Sequence, residues 1–280
     1  MKSIPLPTFS LSDLMSACLL KANSAHKKKY NSELNSYNKI EKEYIEFTSA
    51  IEQFKLPKGI NALTISAKEC DSLYSNRMRV NKQGGRKYYD KLIISSPDGL
   101  CPYCEVGIVT TVDHHLGQAD YPELNIIPAN LLPCCDPCNK IKNGYYPISS
   151  ETQFLHPYFD NINSIIWLES IVKQSSPVQV DYRVCTTLNR SDILVRRIDI
   201  YFNQLNLSRL YRLNANSELS LKKFGMLDIF ENAGATGLKQ HLEREFYFMA
   251  KRNANTWQAC LYKSLSESDW FCNEGVKYII

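Results

Sequence analysis

Apolar residues recur at helical spacing near the start of the chain, at Leu11, Leu14, Met15, Cys18 and Leu19 and again at Tyr37, Ile40, Tyr44, Ile45, Phe47 and Ile51. This spacing predicts a helical region within residues 8 to 75, with a break marked by Pro57 and Gly59. Between the two apolar sets, Lys27, Lys28 and Lys29 form a basic run of the kind usually found on a solvated helix face. Further on the pattern changes. Ile108 to Val112 reads as a strand leading into Asp113, His114 and His115, and a second short strand is expected around Leu124 to Ile127. Asp136 as N-cap, Pro137 at the first helical position and Gly144 as the stop predict a short helix. Beyond residue 160, Ile165, Ile166, Trp167, Leu168 and Ile171 predict a helix and Val178 to Val184 a strand. Ile193 to Leu213 predicts a long helix, and Trp257 to Phe271 a helical end.

The elements therefore describe an α+β chain in three parts, residues 1–75, 76–165 and 166–280, with the polar chemistry concentrated in the middle part. A length of 280 residues with 44% hydrophobic and 22% charged positions is that of a folded protein and excludes disorder throughout. No apolar run approaches the roughly 18 residues that a membrane helix needs, and Pro5, Pro7, Ser10, Ser12 and Asp13 interrupt any signal core, so a cytoplasmic protein without membrane contact is expected. The net charge of +4 only weakly favours an anionic partner. One segment is more telling: Arg77, Arg79, Lys82, Arg86, Lys87 and Lys91 oppose a single Asp90, and Tyr88, Tyr89, Gly84 and Gly85 lie among them. Such a flexible basic arm could contact phosphates, and a solvated linker would look the same.

Five of the ten cysteines fall between residues 101 and 138, which points to metal rather than to a disulfide scaffold. Cys101-Pro-Tyr-Cys104 and Cys135-Asp-Pro-Cys138 each offer two thiolates at knuckle spacing, and together they suit a closed, structural zinc site. Cys134 is left over as a buried neighbour. The 30 residues between Cys104 and Cys135 exceed those of a simple zinc ribbon. They hold the Asp113-His114 pair, a carboxylate beside an imidazole at a strand end, suited to metal binding and acid-base work.

In combination, V-D-H-H, then N-L-L-P-C-C-D-P-C-N-K-I-K, framed by C-P-Y-C, resembles the HNH endonuclease family and its ββα-metal fold over about residues 98 to 160. Tyr89-Asp90, Y-P-E-L, H-P-Y-F-D at 156 to 160 and the tail from Trp257 to Cys272 are similar to HNH nucleases of Septu and retron-type anti-phage defence systems, which work beside an ABC-type ATPase. The resemblance implies Asp113 and Asn139 as ligands of a catalytic Mg²⁺ or Mn²⁺, His114 as general base, and Asn130 as a residue that orients His114 or its loop. It also implies that Cys101, Cys104, Cys135 and Cys138 hold the structural Zn²⁺. DNA is the substrate it favours, with RNA, including tRNA, left open. His115, Lys140, Lys142, His156, Arg86 and Lys87 are further candidates for substrate contact. For His115 a hydrogen-bonded structural role, for His156 a His-Pro turn capped by Asp160, and for the lysines a solvated helix face are the simpler readings.

A departure from the family pattern is the pair His114-His115. Consecutive strand residues point to opposite faces, so only one imidazole can serve the site, and His114 is the expected one. The competing reading is a zinc-stabilised binding module without catalysis. It does not account for Asp-His at a strand end together with Asn immediately after the fourth cysteine.

Overall fold

Ser10 starts the first helix by a reciprocal cap: its hydroxyl accepts the Asp13 N–H, and the Asp13 carboxylate accepts the Ser10 N–H. In the computed structural model, which describes residues 1–280, that helix is α1 (Leu11–Cys18). Asn23 caps α2 (Ser24–Ser32), and α3 (Leu34–Ser49) turns Tyr37, Ile40, Tyr44 and Thr48 inward. A second reciprocal cap, Ser66 with Glu69, opens α4 (Ala67–Ser72), which runs directly into a π-helical turn, Leu73–Met78. Helix α5 (Arg86–Ile94) follows.

The basic segment read as a flexible arm is instead built into this helical layer. A Cβ at Gly84 would collide with the Ala17 carbonyl oxygen, and one at Gly85 would stand 2.6 Å from Cys18 Sγ. These glycines are therefore required for close packing on α1, and Tyr88 and Tyr89 are buried beyond them.

Strands β1 (Thr111–His114) and β2 (Leu131–Cys134) pair antiparallel, with Asp113 opposite Leu132 and His114 opposite Leu131. The first strand thus lies later than expected and contains Asp113 and His114 rather than preceding them. The strand expected at Leu124 to Ile127 is absent. Pro122 and Pro128 each open a 3₁₀ turn, Pro122–Leu124 and Pro128–Asn130, and the pairing begins only after the second. Helix α6 (Asp136–Lys142) follows β2 at once, with Cys135 rather than Asp136 at the cap position.

These elements, from Met1 to Asn161, form one compact unit, so the helical region and the cysteine segment are not separate bodies. Ile162–Ile280 form the other. In this second unit β3 (Leu168–Lys173) and β4 (Gln179–Val184) make an antiparallel hairpin. The helix expected around Ile165 to Ile171 is a strand because β-branched residues Ile171 and Val172 pair with Asp181 and Val180. The Ser170 hydroxyl of β3 also donates to the Cys260 carbonyl. Helices α7 (Ile193–Gln204), α8 (Leu207–Arg252), α9 (Trp257–Ser266) and α10 (Asp269–Asn273) complete the unit. Asn206, in the left-handed region at φ 49°, separates α7 from α8, where the sequence pattern reads as one helix. Gly234 breaks α8 at φ 66°, ψ −169°, a conformation open essentially to glycine alone. The protein is therefore α+β, with two small antiparallel sheets. No helix is long and apolar enough to cross a membrane.

Candidate metal centre and polar hairpin

Both C-x2-C segments fold as knuckles that aim sulfur at one point. In the first, the Cys101 N–H donates to the Gly107 carbonyl, Glu105 adopts the left-handed conformation, and the Gly107 N–H donates to Cys104 Sγ at 3.3 Å. Gly107 has to be glycine, since a Cβ there would lie 2.8 Å from both Cβ and Sγ of Cys135. The second knuckle is the entry to α6. The sulfurs of Cys101, Cys104, Cys135 and Cys138 all lie within 4.8 Å of one another, and all four residues are buried. Zn–S bonds of about 2.3 Å need a tetrahedron with edges of about 3.8 Å, and the Cys104–Cys135 separation is 3.8 Å. Sulfur–sulfur hydrogen bonding holds the Cys101 thiol well below its ordinary value, chiefly through Cys104. It brings Cys135 down to about 4, chiefly through Cys101. The donor set fits a structural zinc ion closed to substrate. Cys134 sits beside the quartet, 3.9 Å from Cys101 Sγ, with its thiol pushed up by that neighbour and donating to the Cys135 carbonyl.

The other polar residues of the hairpin are organised by Lys142. Its side chain is buried, and the ammonium donates to the backbone oxygens of His114 at 2.7 Å and His115 at 2.9 Å and stands 3.1 Å from Asp113 Oδ2. The contact with Asp113 is a buried ion pair. Burial raises the Asp113 carboxyl to about 6, against the pull of Lys142.

His114 and His115 face different surroundings, as strand alternation requires. His114 Nε2 lies 2.9 Å from the Asn125 carbonyl, and its ring meets the Tyr74 ring edge-on, centroids 4.4 Å apart. Because a carbonyl only accepts, Nε2 carries the proton and Nδ1 the lone pair. Burial lowers the His114 pKa to about 4. His115 instead meets the Tyr103 hydroxyl at Nδ1, 3.1 Å, and its ring lies tilted against that of His156, with centroids 4.0 Å apart. His156 is itself fixed by the Tyr44 hydroxyl and the Tyr158 N–H, while Asp160 accepts the His156 N–H at 2.7 Å, the capped His-Pro turn of the simpler reading.

Asn130 closes the loop between the strands. Its Oδ1 accepts the Leu116 N–H, and its Nδ2 donates to the Leu116 and Leu124 carbonyls. It therefore orients the loop that carries Asn125, and through Asn125 it orients His114. Asn139 is half-exposed on α6, one residue beyond the zinc knuckle, and is not drawn into the Lys142 network.

Three residues expected to touch substrate, Lys142, His115 and His156, are interior, at 3%, 3% and 0% exposure, and Asp113 and His114 are buried likewise, at 5% and 6%. Lys140 is exposed and paired with Asp136 at 2.6 Å. Arg86 is held by Asp90 and the Arg79 carbonyl over the Tyr89 ring, and Lys87 is exposed over Tyr88. The sequence pattern also overlooks two residues at His114. Tyr74 belongs to a helix distant in sequence, and nothing but its aromatic character could have signalled it. Asn125 acts on His114 through its backbone carbonyl, which no side-chain pattern signals, and its own side-chain amide is buried with both polar atoms unpartnered.

A buried cysteine quartet beside an antiparallel hairpin and a short helix makes a small α+β unit that could hold a structural metal ion. Over nearly its whole length the chain is similar to Protein ea31 of Escherichia phage lambda, 24% identical over 295 residues that cover 97% of this chain and 99% of that protein. No family model and no solved structure matches it.

Proposed function

We propose that the protein is a metal-dependent HNH endonuclease that hydrolyses nucleic-acid phosphodiesters, DNA foremost, with a zinc-braced ββα-metal hairpin as its catalytic core. The observation that carries the reading is the setting of His114: an imidazole on β1, adjacent to a buried carboxylate, with Nε2 committed to the Asn125 carbonyl. His114 Nδ1 is the atom that would take the proton from the attacking water, with Tyr74 and Asn125 keeping the ring from turning. Phosphorus gains the water oxygen and loses the 3′ oxygen, which leaves with a proton, giving a 5′-phosphate and a 3′-hydroxyl.

Asp113 supplies a buried carboxylate of the kind a hard divalent cation takes, with the Lys142 ammonium 3.1 Å from its Oδ2. Asp113, with Asn139 from the facing helix, would hold Mg²⁺ or Mn²⁺. When bound, the cation would stabilise charge on the phosphate. The cysteine quartet holds zinc at the other end of α6 and thereby sets where Asn139 and Lys142 stand. The second unit, together with an ABC-type ATPase as its partner in cytoplasmic anti-phage defence, completes this reading.

One observation favours a second reading. The Lys142 ammonium already neutralises Asp113, as it would in a zinc-stabilised binding module that holds nucleic acid without cutting it. The two separate on metal dependence. A nuclease cleaves only with Mg²⁺ or Mn²⁺ and loses cleavage in His114→Ala, whereas a binding module retains nucleic acid equally in both proteins and cuts in neither.

A further inference from the structure

Away from the hairpin, α2, α4 and the π-helical turn enclose a cavity of about 220 Å³. Its floor is apolar, formed by Leu19, Ala22 and Leu73 beside the ring of Tyr30. Its rim carries His26 and two cations, Lys68 and Arg77. The one carboxylate in the wall, Glu69, is neutralised by Lys29 at 2.5 Å and held by its cap on Ser66. Arg77 is half-buried, and neither it nor Lys68 pairs with a carboxylate. A half-buried guanidinium with no carboxylate partner is open to an anionic ligand. Leu73 and Arg77, four residues apart on the π-helical turn, lie on the cavity side, while Tyr74 between them reaches β1, where its hydroxyl donates to the Val112 carbonyl.

We propose that this cavity is a nucleotide-binding subsite, with a base lying on the Leu19, Ala22 and Leu73 floor and its phosphate on Arg77 and Lys68. Its volume is below the roughly 300 to 1,000 Å³ of pockets that enclose a whole drug-sized ligand. It therefore takes a single nucleotide unit with the remainder outside, either a free mononucleotide or one residue of a strand. The proposal shares its ligand chemistry with the nuclease reading but does not require cleavage.

The test is equilibrium binding to zinc-loaded full-length protein carrying His114→Ala, so that binding is read whether or not the parent cuts. The probes are a 5′-phosphorylated single-stranded DNA oligonucleotide, the same sequence as RNA, adenosine monophosphate and inorganic phosphate. Combining Arg77→Gln with Lys68→Gln is expected to weaken oligonucleotide binding about tenfold. The slope of log affinity against log salt should also shrink by about 0.7, for the one phosphate that the two side chains neutralise on a single strand. Ala22→Trp, which fills the cavity without changing charge, is expected to weaken the mononucleotide and leave the salt slope alone. Arg77→Lys should restore part of the lost affinity, and an unchanged melting temperature shows that the variants are folded. If the parent binds the oligonucleotides but not the monophosphate, the site is not a pocket for a nucleotide unit and the proposal fails. It fails equally if no probe binds, if inorganic phosphate binds as tightly as the monophosphate, or if the folded variants match the parent in affinity and slope.

Discussion

Lys142 is bound to oxygens of three consecutive residues of one segment: the carboxylate of Asp113 and the carbonyls of His114 and His115. Removing the ammonium leaves a buried carboxylate without its counter-charge. Lys142→Met is therefore expected to destabilise the protein by about 3–5 kcal/mol in urea unfolding, and pairing it with Asp113→Asn should recover part of that loss. The same residues set an acid response in zinc-loaded protein without added magnesium. His114, lowered by burial to about 4, stays unprotonated in the folded state while the unfolded chain takes up a proton near the ordinary 6.5, so its contribution to stability falls as pH drops from 6.5 to 4. Asp113 acts oppositely. Raised by burial to about 6 against an ordinary 3.8, it binds its proton first in the folded state and adds stability as pH falls from 6 to 3.8. Across the shared window the two oppose each other. Urea unfolding at several pH values should accordingly show the parent gaining on Asp113→Asn as the solution is acidified from pH 6 to 4. A constant difference would contradict these environments.

At the scale of elements, α6 is the connection between the two kinds of chemistry: Cys138 stands in its first turn, Asn139 next to it, and Lys142 ends it on β1. Removing zinc, or replacing Cys138 with Ser, should lower the melting temperature and also accelerate amide hydrogen exchange at Val112 to His114. Metal analysis of the native protein should find one zinc per chain. Fast exchange confined to the knuckles would show that α6 does not transmit the metal's order. The cysteine knuckles, the Asp-His pair and the order of hairpin and helix were legible in the sequence because each rests on short-range spacing. The partners of His114 were not. Tyr74 comes from a π-helical turn and Asn125 acts through its backbone oxygen, so neither leaves a periodic or compositional trace. Hydrophobic pattern likewise could not separate strand from helix at Leu168 to Lys173, where the choice is made by pairing with β4 and by contact with α9. Gly84 and Gly85 read as flexibility because glycine serves both turns and close packing, and only the position of α1 distinguishes the two.

At the scale of the molecule, the first unit contains every residue of the proposed chemistry, and 119 residues from Ile162 to Ile280 lie in the second. A nuclease that needs a licensing partner would leave its isolated chain slow. Reconstitution with an ABC-type ATPase is expected to raise the cleavage rate, and equal rates with and without it would remove the regulatory role from the proposal. The nuclease reading itself is tested most directly by incubating the purified, zinc-loaded protein, alone and with the proposed ABC-type ATPase, with plasmid DNA and total tRNA, each with and without Mg²⁺ or Mn²⁺, beside His114→Ala. The account predicts cleavage that requires the divalent ion, favours DNA and disappears in the folded variant. Undiminished cleavage by His114→Ala, or no metal-dependent cleavage of either nucleic acid under any of these conditions, would contradict it.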